Sequence, residues 1–168
     1  MGVTTSSNSA ATMVPITRTT LGSTSSSVTL SSIPSTYTDL VLVVNGQNTS
    51  SDGNWRIQFN SDTGSNYSFT YLAGTGSATE SGRYSNVSSV DCGVSGNGNW
   101  ATMLVNINNY VNSTTYKTSL SRLSSSSRFV TENAGLWRST ATINSVTILN
   151  DNSWATGSTF TLYGIKAA

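Results

Sequence analysis

The feature that most constrains the fold is an alternation of apolar and polar residues with a period of two, which recurs along most of the chain. Trp55, Ile57 and Phe59 share one face of such a segment, and Arg56 and Gln58 share the other. This alternation is typical of half-buried β-strands, and no segment shows the apolar spacing of an amphipathic helix. About ten such segments, separated by turn-rich clusters, predict an all-β fold: an antiparallel β-sandwich, jelly-roll-like in type.

Two stretches predict the environment of particular strands. Residues 67–71 (YSFTY) resume the alternation of residues 55–59 after the loop 61–66 (SDTGSN), and this pattern predicts an antiparallel hairpin. Residues 40–44 (LVLVV) do not alternate, which predicts a central strand that is covered on both faces.

The length of 168 residues fits one domain. Residues 2–12 (GVTTSSNSAAT) are small and polar without periodicity, so we expect a flexible N-terminal arm over residues 1–12 and a single β-sandwich domain over residues 13–168. The apolar run 40–44 is much too short to cross a bilayer.

The chain is poor in charge. Charged residues make up 9 % and the formal net charge is +1, whereas Ser, Thr and Asn together supply about 45 % of the residues. Long-range attraction to nucleic acid or to an anionic membrane is therefore not expected. Arg122, Arg128 and Arg138 could form a basic strip, but isolated arginines more often pair with local carboxylates. Because few charges protect the edges of the sheets, we expect homo-oligomers.

Missing residue types limit the chemistry. Histidine is absent and Cys92 is the single cysteine, so Ser-His-Asp and Cys-His arrangements, an internal disulfide and a Cys/His zinc site are excluded. Cys92 follows a carboxylate, which disfavours a thiolate and indicates a small buried residue. We therefore expect no enzyme and no cofactor.

Acidic residues leave two alternatives open. Two of the seven carboxylates could face each other across a sugar, as in a glycosidase, although no pair shows the local context for acid–base work. Calcium could bind Asp151 with Asn150 and Asn152, or Asp62 with Asn66, although neither set matches a known calcium loop. The prediction is that the chain has no catalytic and no metal site.

Four aromatic residues near polar loops are candidate contacts for a glycan or a partner protein: Tyr84, Trp100, Tyr110 and Trp154. Aromatic rings beside Asn and Asp suit the stacking and hydrogen bonding of a sugar. The alternative is that large aromatic side chains of a small sandwich fill its core or its ends.

Three parts of the sequence resemble a family of small virion proteins of tailed bacteriophages. They are residues 19–42, of which TTLGS and SSVTLSSIPSTYTDLVL carry the likeness, residues 59–68 (FNSDTGSNYS) and residues 156–168 (TGSTFTLYGIKAA). The resemblance covers most of the chain after the arm. It implies a β-sandwich on the exterior of the virion and carries over no active-site residues.

On that resemblance the expected function is a non-enzymatic bacteriophage virion structural protein. We expect a capsid decoration (cement) protein that forms trimers and reinforces contacts between capsid subunits. It would be assembled in the host cytoplasm, with major capsid or tail proteins as partners. The alternative is a tail-fibre or receptor-binding module that recognises a host surface glycan.

Overall fold

The computed structural model describes residues 12–127 and 129–166. The predicted flexible arm, except for Thr12, lies outside the described residues. Twelve strands make up the described part, which contains no helix that could cross a bilayer. They are β1 (Met13–Thr20), β2 (Ser25–Leu30), β3 (Asp39–Gln47), β4 (Gly53–Phe59), β5 (Tyr67–Gly74), β6 (Thr79–Val87), β7 (Val90–Ser95), β8 (Trp100–Asn108), β9 (Lys117–Ser125), β10 (Val130–Trp137), β11 (Val146–Trp154) and β12 (Thr159–Ile165).

The strands form two antiparallel sheets that pack face to face. The large sheet has eight strands in the order β1-β12-β3-β8-β9-β10-β5-β6, and the small sheet has four in the order β2-β11-β4-β7. The predicted all-β sandwich is therefore confirmed, with slightly more strands than expected.

The connectivity explains both the jelly-roll likeness and the additional strands. Without β1, β12 and the β9–β10 hairpin, two four-stranded sheets remain, β2-β11-β4-β7 and β3-β8-β5-β6, which is the arrangement of a jelly roll. The hairpin lies between β8 and β5 and pairs with both of them. It widens the large sheet by two strands, whereas the small sheet gains none.

The core lies where the small sheet covers the large one. Two aromatic groups fill it. Trp154 packs edge-on against Trp55 and Phe160, with ring centroids 5.8 and 4.9 Å apart. At the other end Trp137 lies 5.6 Å from Phe59 and 6.2 Å from Tyr67. Burial of such rings supplies much of the stability of a domain that has no disulfide between described residues.

The predicted hairpin of residues 55–59 with residues 67–71 is wrong. β4 pairs with β11 and β7 in the small sheet, whereas β5 pairs with β10 and β6 in the large sheet. The loop between them crosses from one sheet to the other. Asn60 and Ser61 have positive φ angles of 52° and 56°, and the Phe59 amide donates to the Tyr67 hydroxyl at 3.0 Å. Alternation identifies the buried face of a strand, but it does not identify the partner strand.

The prediction that residues 40–44 form a central strand is confirmed. β3 lies inside the large sheet between β12 and β8, and Leu40, Leu42 and Val44 are completely buried. The opposite face is less covered, since Val41 is buried but Val43 is half-buried.

Candidate ligand-binding groove

A groove opens where the small sheet ends. β7, the edge strand of the small sheet, packs over β9 and β10, so the inner face of β5 and β6 extends beyond it. The resulting cavity has a volume of about 680 Å³, within the range of small-molecule sites. Its floor comes from β10, β5 and β6, and its wall comes from β7 and β4.

Aromatic rings form the floor. The alternation of β5 places Phe69 and Tyr71 on the inner face, and Tyr84 of β6 lies opposite Phe69. The Tyr84 ring is stacked between the other two, with centroids 5.1 Å from Phe69 and 6.3 Å from Tyr71. Because no strand of the small sheet covers it, Tyr84 remains 52 % exposed.

Gly82 determines the position of the Tyr71 ring. The two residues are cross-strand partners, and a Cβ on Gly82 would come within 2.7 Å of the Tyr71 ring. The ring therefore lies across the glycine backbone, an arrangement that a larger residue at position 82 would prevent.

Polar groups line the boundary between floor and wall. Asn133 of β10 is 4 % exposed and donates from Nδ2 to the Asp91 carbonyl of β7 at 2.7 Å. Its Oδ1 has no hydrogen-bond partner within the described residues, and neither has Oγ1 of Thr131 or Nε of Arg56. All three side chains line the groove, so three buried polar atoms there have unused hydrogen-bonding capacity.

Among the charged residues that line the groove, Asp91 is the acidic residue whose pKa departs from its usual value. Burial raises its pKa to about 6, against the opposing effects of the Gly93 amide, which donates to Oδ1 at 2.7 Å, and of the nearby Arg56 guanidinium. Arg56 itself forms an ion pair with Asp151, which also accepts from Asn54 Nδ2 at 2.9 Å.

The charge of the groove limits what it can bind. Its charged lining residues are Arg56, Glu80 and Asp91, and Asp151 already neutralises the arginine. No unpaired cation therefore lines the groove among the described residues, so a phosphate or a nucleic acid would lack a counter-charge. Stacking on rings and hydrogen bonding to neutral polar groups remain available.

The structure separates the four aromatic residues singled out from the sequence. Tyr84 lies in the groove, and Trp100 lies on the outer face of the large sheet at 44 % exposure. Tyr110 and Trp154 are completely buried, which corrects the list of candidate contacts because neither ring offers a surface to a ligand. Tyr110 donates from its hydroxyl to the Pro34 carbonyl, and Trp154 belongs to the core.

Sequence reasoning missed Phe69, Tyr71 and Asn133 as groove residues. Their signal was present in part, since Phe69 and Tyr71 share one face of an alternating segment. That face is normally core, and only the widened sheet leaves it uncovered.

Asp62, one of the alternative calcium ligands, accepts hydrogen bonds from three neighbouring residues. Burial opposes ionisation of Asp62, but hydrogen bonds from Trp137, Asn66 and Gly64 together hold its pKa below the usual value. Those bonds measure 2.7 Å from Trp137 Nε1 and 2.9 Å from both Asn66 Nδ2 and the Gly64 amide. Within the described part of the chain, no three Cys, Asp or Glu side chains come together.

Of the arginines that could form a basic strip, Arg138 donates to the Ser65 carbonyl and to Asn86 Oδ1, and Arg122 lies on the outer face of β9. Arg128 lies outside the described residues.

Comparison with known proteins gives little. No family model and no curated protein matches the chain. Among solved structures, a match is found to the crystal structure of Scytalido-glutamic peptidase with a peptide-based transition state analogue, at 16 % identity and a TM-score of 0.31. The match covers 86 % of this chain and 66 % of that one, so this chain spans just under two thirds of the peptidase.

These findings give no support to the function expected from the sequence. The prediction of a capsid decoration protein, with a tail-fibre module as its alternative, is therefore withdrawn. A TM-score of 0.31 is also too low to support peptidase activity. The family resemblance itself is not tested by these comparisons.

Proposed function

We propose that this chain is a non-catalytic binding protein whose groove holds a neutral oligosaccharide. The observation that carries the proposal is the stacked set of Phe69, Tyr84 and Tyr71 on the floor of a cavity of about 680 Å³ that the small sheet leaves open.

An oligosaccharide matches both parts of the groove. The C–H face of a pyranose ring is weakly positive and packs against the negative face of an aromatic ring. Its hydroxyl groups both donate and accept, so they suit neutral polar residues that line the groove and are exposed, such as Asn86 and Ser88. The shortage of unpaired positive charge favours a neutral sugar over an acidic one.

The absence of catalysis is supported by the residues at hand. Histidine is absent from the sequence, and Cys92 is completely buried, which raises the pKa of its thiol. A thiol that is neither accessible nor ionised does not act as a nucleophile.

Isothermal titration with neutral hexasaccharides of different linkage tests the proposal, with Tyr84→Ala as the probe. We expect one linkage to bind the unaltered protein and Tyr84→Ala to bind it about tenfold more weakly, the loss of one ring contact. Tyr116→Ala is the matched control, because Tyr116 is exposed to a similar extent, 54 %, and lies outside the groove.

Three results would contradict the proposal. One is that no hexasaccharide binds. Another is that a neutral peptide binds in the groove instead of sugar, by pairing with the edge of β7. The third is release of new reducing ends during incubation, which would show hydrolysis and refute the non-catalytic role.

A further inference from the structure

The outer face of the large sheet reverses the usual distribution of polar and apolar residues. On β9 and β10, Leu120 and Val130 point outward and are 56 % and 57 % exposed, while small polar residues such as Ser119, Ser121 and Thr131 are buried. On the neighbouring β5, Leu72 also points outward and is 62 % exposed. These exposed apolar side chains surround the charged residues Arg122 and Glu132, so the face offers both apolar contacts and charges to a partner.

The central row of this face has an apolar residue at each end and two opposite charges between them. Running across β8, β9, β10 and β5, it consists of Leu104, Arg122, Glu132 and Leu72, each paired with the next. The row is therefore apolar, positive, negative, apolar.

Arg122 and Glu132 are directly opposite each other, yet they form no ion pair within the part of the chain that the structure describes. Both side chains are exposed. Their charges therefore remain available to another molecule.

Neighbouring rows are complementary in size. Leu120 of β9 is paired with Ala134 of β10, and Ser124 of β9 is paired with Val130 of β10. Each pair sets a large apolar side chain beside a small one. Leu120 and Ala134 border a hollow of about 360 Å³ on this face.

From these rows we infer that the outer face binds a second copy of this chain, as a dimer with a two-fold axis that runs along the strands between β9 and β10. Such an axis exchanges the two sides of each row. Arg122 then faces the partner's Glu132, Leu120 faces the partner's Ala134, and Leu104 faces the partner's Leu72.

Charge complementarity selects a second copy as the occupant, because the same surface carries both halves of every contact. Two sheets that pack face to face lie about 10 Å apart with their strands within about 30°, which suits these side chains. A two-fold dimer replaces the trimer expected from the sequence.

The dimer does not depend on the proposed sugar binding. The groove lies on the inner face of the large sheet, and the dimer uses the outer face, so both grooves stay open. Failure of one proposal leaves the other standing.

Sedimentation velocity over a range of protein concentrations tests the inference through a charge swap. We expect the unaltered protein to dimerise, and Arg122→Glu or Glu132→Arg alone to weaken the dimer at least about tenfold, because like charges then face each other. The double variant R122E/E132R restores the pairs, so its dissociation constant should return to within about threefold of the original.

An exchange of side-chain size across the same two-fold axis provides a second test of the dimer. Ala134→Leu places leucine against the partner's Leu120 and should weaken the dimer, whereas the double variant L120A/A134L should recover it. Met13→Glu is the control, because Met13 is an exposed apolar residue of β1, the edge strand that lies farther from β9 and β10 in the large sheet, and the change should leave association unaltered. Circular dichroism and denaturation midpoints establish that each variant is folded.

A monomer at every concentration would overturn the inference, and so would a trimer. A dimer that neither single charge change weakens, or that the double changes fail to restore, would overturn it as well.

Discussion

The two halves of the large sheet differ in whether the small sheet covers their inner face, and the burial of their apolar side chains differs accordingly. Under the small sheet, the inner faces of β3 and β8 carry Leu42, Met103 and Val105, all completely buried. Beyond the edge of the small sheet, the inner face of β5 carries Phe69 and Tyr71, which are only half-buried. Alternation is alike in both halves, so whether an apolar face becomes core or binding surface depends on what lies above it.

The difference originates in the β9–β10 hairpin. By widening the large sheet between β8 and β5, it carries β6 and the part of β5 that begins at Phe69 beyond the cover of β7. The buried face of the hairpin is correspondingly polar, with Ser121 and Asn133 as cross-strand partners below β7. A groove thus results from strand number, without any special loop.

The sharpest contrast between the halves is expected from one substitution made in each. Phe160→Ala in the covered half removes a ring with no exposed surface and should lower the free energy of unfolding by about 3–5 kcal/mol. Phe69→Ala in the open half should cost about 1–2 kcal/mol, because its ring is already partly in contact with water. Denaturant titration measures both, and equal losses would contradict the distinction.

Protonation of Asp91 is expected to have the next largest effect, at the wall of the open half. Its pKa is about 6 in the folded protein, against 3.8 for an unperturbed aspartate, so between these values the folded state binds more protons than the unfolded chain. The contribution of Asp91 to stability is thus greatest in acid, falls as pH rises from about 4 to 6, and is constant above that.

Asp91→Asn should therefore stabilise the protein by about 2–3 kcal/mol at pH 7.5 and by nothing below pH 4. The amide oxygen of asparagine can still accept from the Gly93 amide, so the geometry is kept. Denaturation midpoints across this pH range provide the measurement, and a difference that does not change with pH would refute the assignment.

A smaller effect is expected where the wall contacts the floor. Gly93 has a φ of +129°, and a Cβ there would lie 2.0 Å from Thr131 Oγ1. Gly98 also has a positive φ, +62°, but open space around it. Gly93→Ala should lower the free energy of unfolding by about 1–3 kcal/mol more than Gly98→Ala, because only the former forces the sheets apart. Comparable losses at both sites would contradict this expectation.

Local pattern predicted the fold class well and the groove poorly, for a physical reason. The alternation of Trp55, Ile57 and Phe59 identified a strand with one buried face, and that face is indeed core. The partner of this strand depends on the crossing of residues 60–66 between the sheets, and the turn residues of that segment suit a hairpin loop equally well. Which strands lie beyond the small sheet is a property of the whole topology.

Among the candidate contacts, Trp154 and Tyr84 show the same limit. Both are aromatic residues near polar segments, yet Trp154 has no exposed surface and Tyr84 is half exposed. No local feature of the sequence separates them. The difference is that β11 lies inside the small sheet, whereas β6 is the uncovered edge of the large one.

The most direct test of the claim that the open half binds a ligand is a map of backbone amide chemical shifts during titration with the neutral hexasaccharide that binds best. We predict that the shifts concentrate on Phe69, Tyr71, Tyr84 and Asn133, with the amides of β3 and β8 unchanged. Shifts confined to the outer face of the large sheet, or spread evenly over both halves, would contradict the account.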